Sequence, residues 1–169
     1  MRLFVAVWPP AELLEAVAGL PRPEKNGLRW TTADQWHVTL RFMGEVADPA
    51  PVVAALDQVG VDDAVTATMG PAVARFDQRV LHVPVRGLDA LAASVVAATS
   101  AIGRPPDTRP FHGHVTLARV RPRARVDLRP LCGAPVEGVW EVREVTLIAS
   151  HLHPRGARYE TVAARHLAT

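Results

Sequence analysis

The chain has 169 residues, 49% of them hydrophobic and 21% charged, so neither wholesale disorder nor a coiled coil is expected. The formal net charge is +2, no run of 18 apolar residues occurs, and Cys132 is the single cysteine, which excludes a transmembrane helix, an intrachain disulfide and a cysteine zinc cluster. The opening MRLFVAVWPP lacks the longer apolar region of a signal peptide, so a cytoplasmic location is expected.

Short apolar strands and amphipathic helices alternate along the chain. In chain order the pattern predicts a strand at Leu3–Trp8, a helix at Ala11–Leu20, a strand at Trp36–Met43, a helix at Pro51–Val59, strands at Val65–Phe76 and Val80–Val85, a helix at Leu88–Ile102, and strands at His114–Val120, Val142–His151 and Tyr159–Ala164. Because the strands mostly meet through short turns, the order favours an α+β fold with antiparallel sheets. No segment has the composition of a linker, so residues 1–169 are expected to form one domain.

A four-residue sequence, HVTL, occurs twice, at residues 37–40 and again at residues 114–117. Each copy lies in a predicted strand, follows an aromatic residue closely and is preceded by a turn-rich segment. The two copies are separated by close to half the chain, as a duplicated lobe would give. We therefore interpret the chain as two related halves.

The spacing within each copy gives it a chemical meaning. Residues i and i+2 of a strand share a face, so His37 lies beside Thr39, and His114 lies beside Thr116. Two such strands brought together would place two imidazoles and two hydroxyls around one cavity. The imidazoles can serve as one acid and one base, and the hydroxyls can donate to phosphate oxygens, which is the set that hydrolysis of a cyclic phosphodiester needs. No metal is required.

Two His-x-His pairs offer a metal-based alternative. His112 precedes His114 by two positions, and His151 precedes His153 in the same way, a spacing that can bind zinc or nickel. No carboxylate is placed as an obvious further ligand, and the sequence therefore favours a site without metal.

These segments resemble a known group of enzymes. The two HVTL motifs, the opening RLFVAVWPP, the segments LRWTTADQWHVTLRFMGEV and RPFHGHVTLARV, and the ending SHLHPRGARYETV are similar, in order and over essentially the whole chain, to the two-histidine phosphoesterases. The most similar branch is that of the bacterial and archaeal RNA 2′,3′-cyclic phosphodiesterases, historically called 2′-5′ RNA ligases.

The resemblance implies a fold, a reaction and a set of roles. It implies a bilobal α+β fold of pseudo-twofold symmetry, with two antiparallel sheets facing a central cleft and helices outside. It further implies that His37 donates a proton to the leaving O3′ and that His114 accepts one from water, leaving a 2′-phosphate. Phe42, five positions after His37, would stack on the terminal base, and Arg119 would contact phosphate or base. The implied partner is an RNA end bearing a 2′,3′-cyclic phosphate, with no cofactor and no membrane, and a monomer is expected.

The chain departs from the family pattern at two positions. Gly113 stands before the second histidine, where proline is usual, and is expected to loosen the strand entrance. His82 stands where tryptophan is frequent. Both differences bear on substrate range.

Alternatives within and outside enzyme chemistry stay open at this point. The same site would suit 2′-5′ ligation, a small cyclic nucleotide or a 2′-5′ oligonucleotide, and a cleft without turnover would make an RNA-end-binding module. The arginine-rich stretch from Arg119 to Arg129 is consistent either with a solvated face or with a phosphate-facing rim.

Overall fold

Ten strands and three helices make up the computed structural model, which describes residues 1–168. The strands are β1 (Arg2–Val7), β2 (Leu28–Trp30), β3 (Val38–Glu45), β4 (Val65–Met69), β5 (Ala74–Phe76), β6 (Val80–Arg86), β7 (His114–Val120), β8 (Gly138–Val142), β9 (Glu144–His151) and β10 (Arg158–His166). The helices are α1 (Ala11–Ala18), α2 (Ala50–Ala55) and α3 (Asp89–Thr99), and short 3₁₀ turns occur at Ala33–Gln35, Leu56–Gln58 and Arg129–Leu131. None of the helices in the described part of the chain is both long and apolar enough to cross a membrane.

The strands pair in antiparallel fashion in the order β10-β9-β1-β3-β7-β6-β4-β8, with β2 added to β7 and β5 added to β6. The expected α+β class with antiparallel strands is therefore confirmed. The two halves meet edge to edge instead of as separate sheets, since β3 and β7 join through one residue pair, Val38 opposite Val115. The result is one continuous curled sheet with a cleft along its concave face.

The two halves repeat each other in local detail as well as in order. In each half an apolar strand is followed by a helix and then by an HVTL strand that returns beside the first, as β1-α1-β3 and as β6-α3-β7. The pairing of both HVTL strands skips the leucine, Leu40 in β3 and Leu117 in β7, so each strand has a bulge at the same place. The residue after each leucine is buried, and the one after that is exposed.

The core lies on the side of the sheet away from the cleft. Val38, Leu40, Val115 and Leu117 all point into it, and the buried residues of α3 pack against β3. The buried Arg41 ties these elements together, because its guanidinium donates to the Thr99 hydroxyl in α3 and to the carbonyls of Ile102 (3.0 Å) and Arg104 (2.8 Å).

The structure differs from the predicted elements in three respects. The predicted strand Val65–Phe76 is two strands, because Gly70 has a φ of +103° and Pro71 has no N–H to donate to a ladder. The three-residue β2 and the strand β8 were not predicted. The helices end earlier than expected, and the last turn of the predicted helix Pro51–Val59 is a 3₁₀ turn.

Candidate active site

The crossing of β3 and β7 brings the two HVTL motifs together. Because Val38 opposes Val115 in an antiparallel pair, His37 lies across from Thr116, and Thr39 lies across from His114. The valines point into the core, so the other four side chains share the cleft face. All four are half-buried and line one cavity of about 530 Å³.

Both imidazoles are held in the same way by their own chain. The Nδ1–H of His37 donates to the carbonyl of Gln35 at 2.8 Å, and that of His114 donates to the carbonyl of His112 at 2.7 Å. A neutral ring that donates from Nδ1 carries its lone pair on Nε2. The Nε2 of His37 lies 3.0 Å from the Thr39 hydroxyl, which donates to it. Each histidine is therefore oriented so that Nε2 is the atom available for proton transfer.

Aromatic side chains pack around the first histidine. The ring of His37 stacks on Phe4 at 4.8 Å between centroids, and Trp8 and Tyr159 lie at 5.2 and 5.3 Å. Trp36, next to it in the chain, is buried and donates to the Thr31 hydroxyl at 3.0 Å. That hydroxyl in turn donates to backbone carbonyls of β7, so the segment entering the first motif is anchored to the strand that carries the second.

The second histidine has a corresponding set of neighbours. Phe76 lies 4.9 Å from the ring of His114, and His82 lies 5.3 Å from it. His82 stacks on Phe76 at 3.8 Å, is buried, and has no hydrogen-bond partner for either ring nitrogen among residues 1–168. His82 is thus a buried aromatic neighbour of His114.

Burial and nearby positive charge disfavour protonation of these rings. Burial is the main cause that lowers the pKa of His37 to about 4; the charges of His114 and Arg119 act in the same direction, and the hydrogen bond to the Gln35 carbonyl opposes them. Burial is also the main cause that lowers the pKa of His114, with a contribution from Arg119. Both rings are therefore neutral at pH 7 when the cleft is empty.

Arginines make the cavity an anion site. Arg2, Arg29 and Arg119 line it, and no aspartate or glutamate does. Arg119 lies five positions after His114, and the bulge turns it onto the cleft face, which is why its charge reaches both histidines and Tyr159. A phosphate placed between the imidazoles would meet a guanidinium and two threonine hydroxyls.

Phe42 occupies the corresponding place in the other half. It lies five positions after His37, is 37% exposed, and has the guanidinium of Arg2 at 5.3 Å from its ring centre. It borders both the histidine cavity and a larger one of about 850 Å³, which is walled by the proline-rich segment 104–112. An exposed aromatic ring at the junction of two cavities is suited to stacking on a nucleobase.

The structure places all six residues expected from the sequence at one site: His37, Thr39, Phe42, His114, Thr116 and Arg119. Sequence reasoning missed Arg2, Phe4, Arg29 and Tyr159, which are distant in the chain and come to the site through strand pairing. Their one common signal is that all lie in the segments that carry the family resemblance.

The structure also locates His112, Gly113 and His151. His112 contributes its carbonyl to His114, and its exposed side chain borders the larger cavity. Gly113 does not loosen the strand entrance as expected: its carbonyl accepts from the N–H of Val85 at 2.8 Å, and a Cβ at this position would overlap the carbonyl of Val85. The Nε2 of His151 in β9 lies 3.1 Å from a carboxylate oxygen of Glu160 in β10.

One protein family matches the segments that form this site. The family model for LigT-like phosphoesterases matches residues 7–66 and 82–159, which include both histidine–threonine motifs. The chain belongs to this family.

Relatives of this LigT-like phosphoesterase support the assignment over nearly its full length. An RNA 2′,3′-cyclic phosphodiesterase of Escherichia coli is 31% identical over 94% of this chain and 92% of its own length. Another, from Geobacillus stearothermophilus, is 28% identical over 95% of this chain, which spans only 55% of that protein. The crystal structure of E. coli LigT complexed with 3′-AMP superposes with a TM-score of 0.72 at 30% identity, covering 99% of this chain and 98% of that one.

Proposed function

We propose that residues 1–169 form one phosphoesterase domain that hydrolyses RNA 2′,3′-cyclic phosphate ends to 2′-phosphomonoesters by two-histidine acid–base catalysis. The observation that carries the proposal is the pair of histidines with Nε2 directed into a cavity lined by arginine and threonine. The relatives named RNA 2′,3′-cyclic phosphodiesterase support the substrate.

The reaction assigns one proton transfer to each histidine. Water attacks phosphorus as the Nε2 of His114 removes a proton from it, and the P–O3′ bond breaks as the Nε2 of His37 gives a proton to O3′. The products are a free 3′-hydroxyl and a 2′-phosphomonoester. Thr39, Thr116 and Arg119 would donate to the non-bridging oxygens, where negative charge increases in the transition state.

The low pKa of His37 fits an acid that is charged only in the presence of substrate. An anion beside an imidazole favours its protonated form, so a bound phosphodiester raises the pKa of His37 from the value of about 4 that it has in the empty cleft. Once His37 is protonated, Nε2 is a donor and the Thr39 hydroxyl is free to turn its hydrogen toward phosphate.

The proposal is tested with an oligonucleotide that ends in a 2′,3′-cyclic phosphate. We expect a 2′-phosphate product, identified by ³¹P NMR and by its resistance to enzymes that need a 3′-phosphate. His112→Ala is the matched control, because this exposed histidine belongs to the same segment and its side chain does not line the histidine cavity. No turnover would refute the proposal. A 3′-phosphate product would mean that the enzyme breaks the P–O2′ bond instead of the P–O3′ bond.

The same assay separates this chemistry from metal catalysis. Turnover should be unaffected by EDTA, since the assigned acid, base and oxyanion donors are all protein side chains. Loss of activity on chelation, with recovery on addition of zinc or manganese, would assign the histidines to a metal and withdraw their acid–base roles.

A further inference from the structure

An unneutralised arginine lies beside the proposed phosphate site. Arg29 in β2 is the direct cross-strand partner of Arg119 in β7, and both line the histidine cavity. Partners of this kind have Cα atoms about 5 Å apart, and like charges so placed destabilise the sheet unless something lies between them. Neither guanidinium forms a hydrogen bond or an ion pair among residues 1–168, where the arginine ion pairs are those of Arg109, Arg129, Arg143 and Arg165. The pair is therefore arranged to bind an anion.

The position of Arg29 is set by a close approach of the backbone. Gly156, in the turn between β9 and β10, has a φ of +120°, and a Cβ there would overlap the guanidinium of Arg29. Gln35 holds the same turn by donating to the carbonyl of Ala157 at 2.9 Å. Arg29 is thus packed between β2 and the β9–β10 turn without a carboxylate to neutralise it.

Arg29 lies in β2, the strand next to the β7 strand that carries His114 and Arg119. The charge of Arg119, which shares β7 with His114, lowers the pKa of both histidines, and Arg29 belongs to the neighbouring strand β2. Because β3 and β7 run in opposite directions from their crossing, Phe42 and Arg119 lie toward opposite ends of the cleft, each about 13 Å of strand from the Val38–Val115 pair. The cleft therefore has one end where Phe42 packs against Arg2 and another where Arg29 lies beside Arg119; the aromatic ring at the first suits a base, and the arginine pair at the second suits phosphate.

We propose that Arg29 forms a subsite for the phosphodiester that precedes the terminal nucleotide, so that the enzyme selects RNA strand ends over 2′,3′-cyclic mononucleotides. The inference rests on the proposed function. A cyclic mononucleotide has one phosphate, which Arg119 and the threonines would bind, and it leaves Arg29 without a partner. A dinucleotide adds one internal phosphodiester on the 5′ side of the ribose, away from the base.

The test compares three substrates: a 2′,3′-cyclic mononucleotide, a dinucleotide with the same cyclic end, and that dinucleotide with an uncharged methylphosphonate in its internal linkage. In the wild type, kcat/KM should be about 10- to 100-fold higher for the charged dinucleotide than for the methylphosphonate, the range of a hydrogen bond to a charged group. Arg29→Ala should abolish this ratio. Arg125→Ala, which removes an exposed arginine outside the histidine cavity, should preserve it.

The outcomes separate the inference from the function on which it rests. If Arg29→Ala lowers kcat/KM equally for all three substrates, or if the charged ratio survives, the subsite is refuted while the hydrolase proposal stands. If the wild type hydrolyses none of them, the proposed function fails, and the subsite is then judged by binding. Calorimetry with a dinucleotide 2′-phosphate and its methylphosphonate analogue should still show the charge preference in the wild type and not in Arg29→Ala; equal affinities in the wild type would overturn it.

Discussion

The pH dependence of kcat/KM is the most direct test of how the cleft controls its histidines. That parameter reports the pKa values of the free protein, and the two-histidine reaction needs one ring protonated and one neutral. Since the pKa of His37 is lowered to about 4 and that of His114 is also below 6.5, the profile should be a bell with its maximum between about pH 4 and 6.5. At pH 7, protonating a ring of pKa 4 costs about 4 kcal/mol, which the bound phosphate must offset.

The assay is steady-state hydrolysis of a cyclic-phosphate oligonucleotide in overlapping buffers, with circular dichroism at each pH to establish that the protein is folded. Above pH 6.5, kcat/KM should fall about tenfold per pH unit. The kcat profile should lie at higher pH, because it reports the complex, in which the phosphate anion raises both pKa values. A kcat/KM maximum at or above pH 7 would refute the reasoning from burial.

Three further changes have defined outcomes. His37→Ala or His114→Ala should each lower kcat by about 10²- to 10⁴-fold, and the double variant should lose far less than the product of the two; multiplicative losses would show that the residues act separately. Phe42→Ala should weaken binding of the 2′-phosphate product by about 1–3 kcal/mol in calorimetry, and an unchanged Kd would remove this ring from the site. His82→Phe should raise the free energy of unfolding in urea by about 1–3 kcal/mol, because it replaces a buried imidazole with two unpaired nitrogens. The gain should widen as the pH falls from 6.5 toward 4, since the pKa of His82 is lowered to about 4 and the unfolded chain takes up the proton first; a smaller gain at pH 5 than at pH 7 would contradict this.

The central four side chains could be predicted from sequence because they depend on one local rule. Alternation in a strand places His37 with Thr39 and His114 with Thr116, and the repeat itself suggested that the two strands meet. The edge-to-edge joining of the halves could not be read in this way, since a single pair of valines has no pattern of its own.

The two flanking residues show where alternation stops being sufficient. A strand of period two would turn the fifth residue after each histidine into the core. The bulges at Leu40 and Leu117 shift the phase, bury Arg41, and bring Phe42 and Arg119 back to the cleft face. The family resemblance identified these residues, and the bulges supply the physical reason.

Arg29 and Tyr159 mark a further limit. Arg29 lies in a three-residue strand that is too short to show any periodicity. Tyr159 reaches the cleft only because β9 pairs with β1, and β10 pairs with β9. Contacts that depend on strand order across more than 100 residues leave no trace in a local window.

The single backbone pair between Val38 and Val115 affects how the two histidines are positioned. The proposed acid and base are carried by β3 and β7, and the ladder between these two strands is one pair long, whereas β1 pairs with β3 at six positions, β6 with β7 at five and β2 with β7 at three. Most of the backbone pairing therefore lies outside the contact between the two histidine strands, and the spacing of the two imidazoles depends on that contact and on the hydrogen bonds of Thr31 to β7. Shortening Val38 or Val115 would leave the longer ladders in place and still change the distance between two imidazoles that must reach the same phosphate.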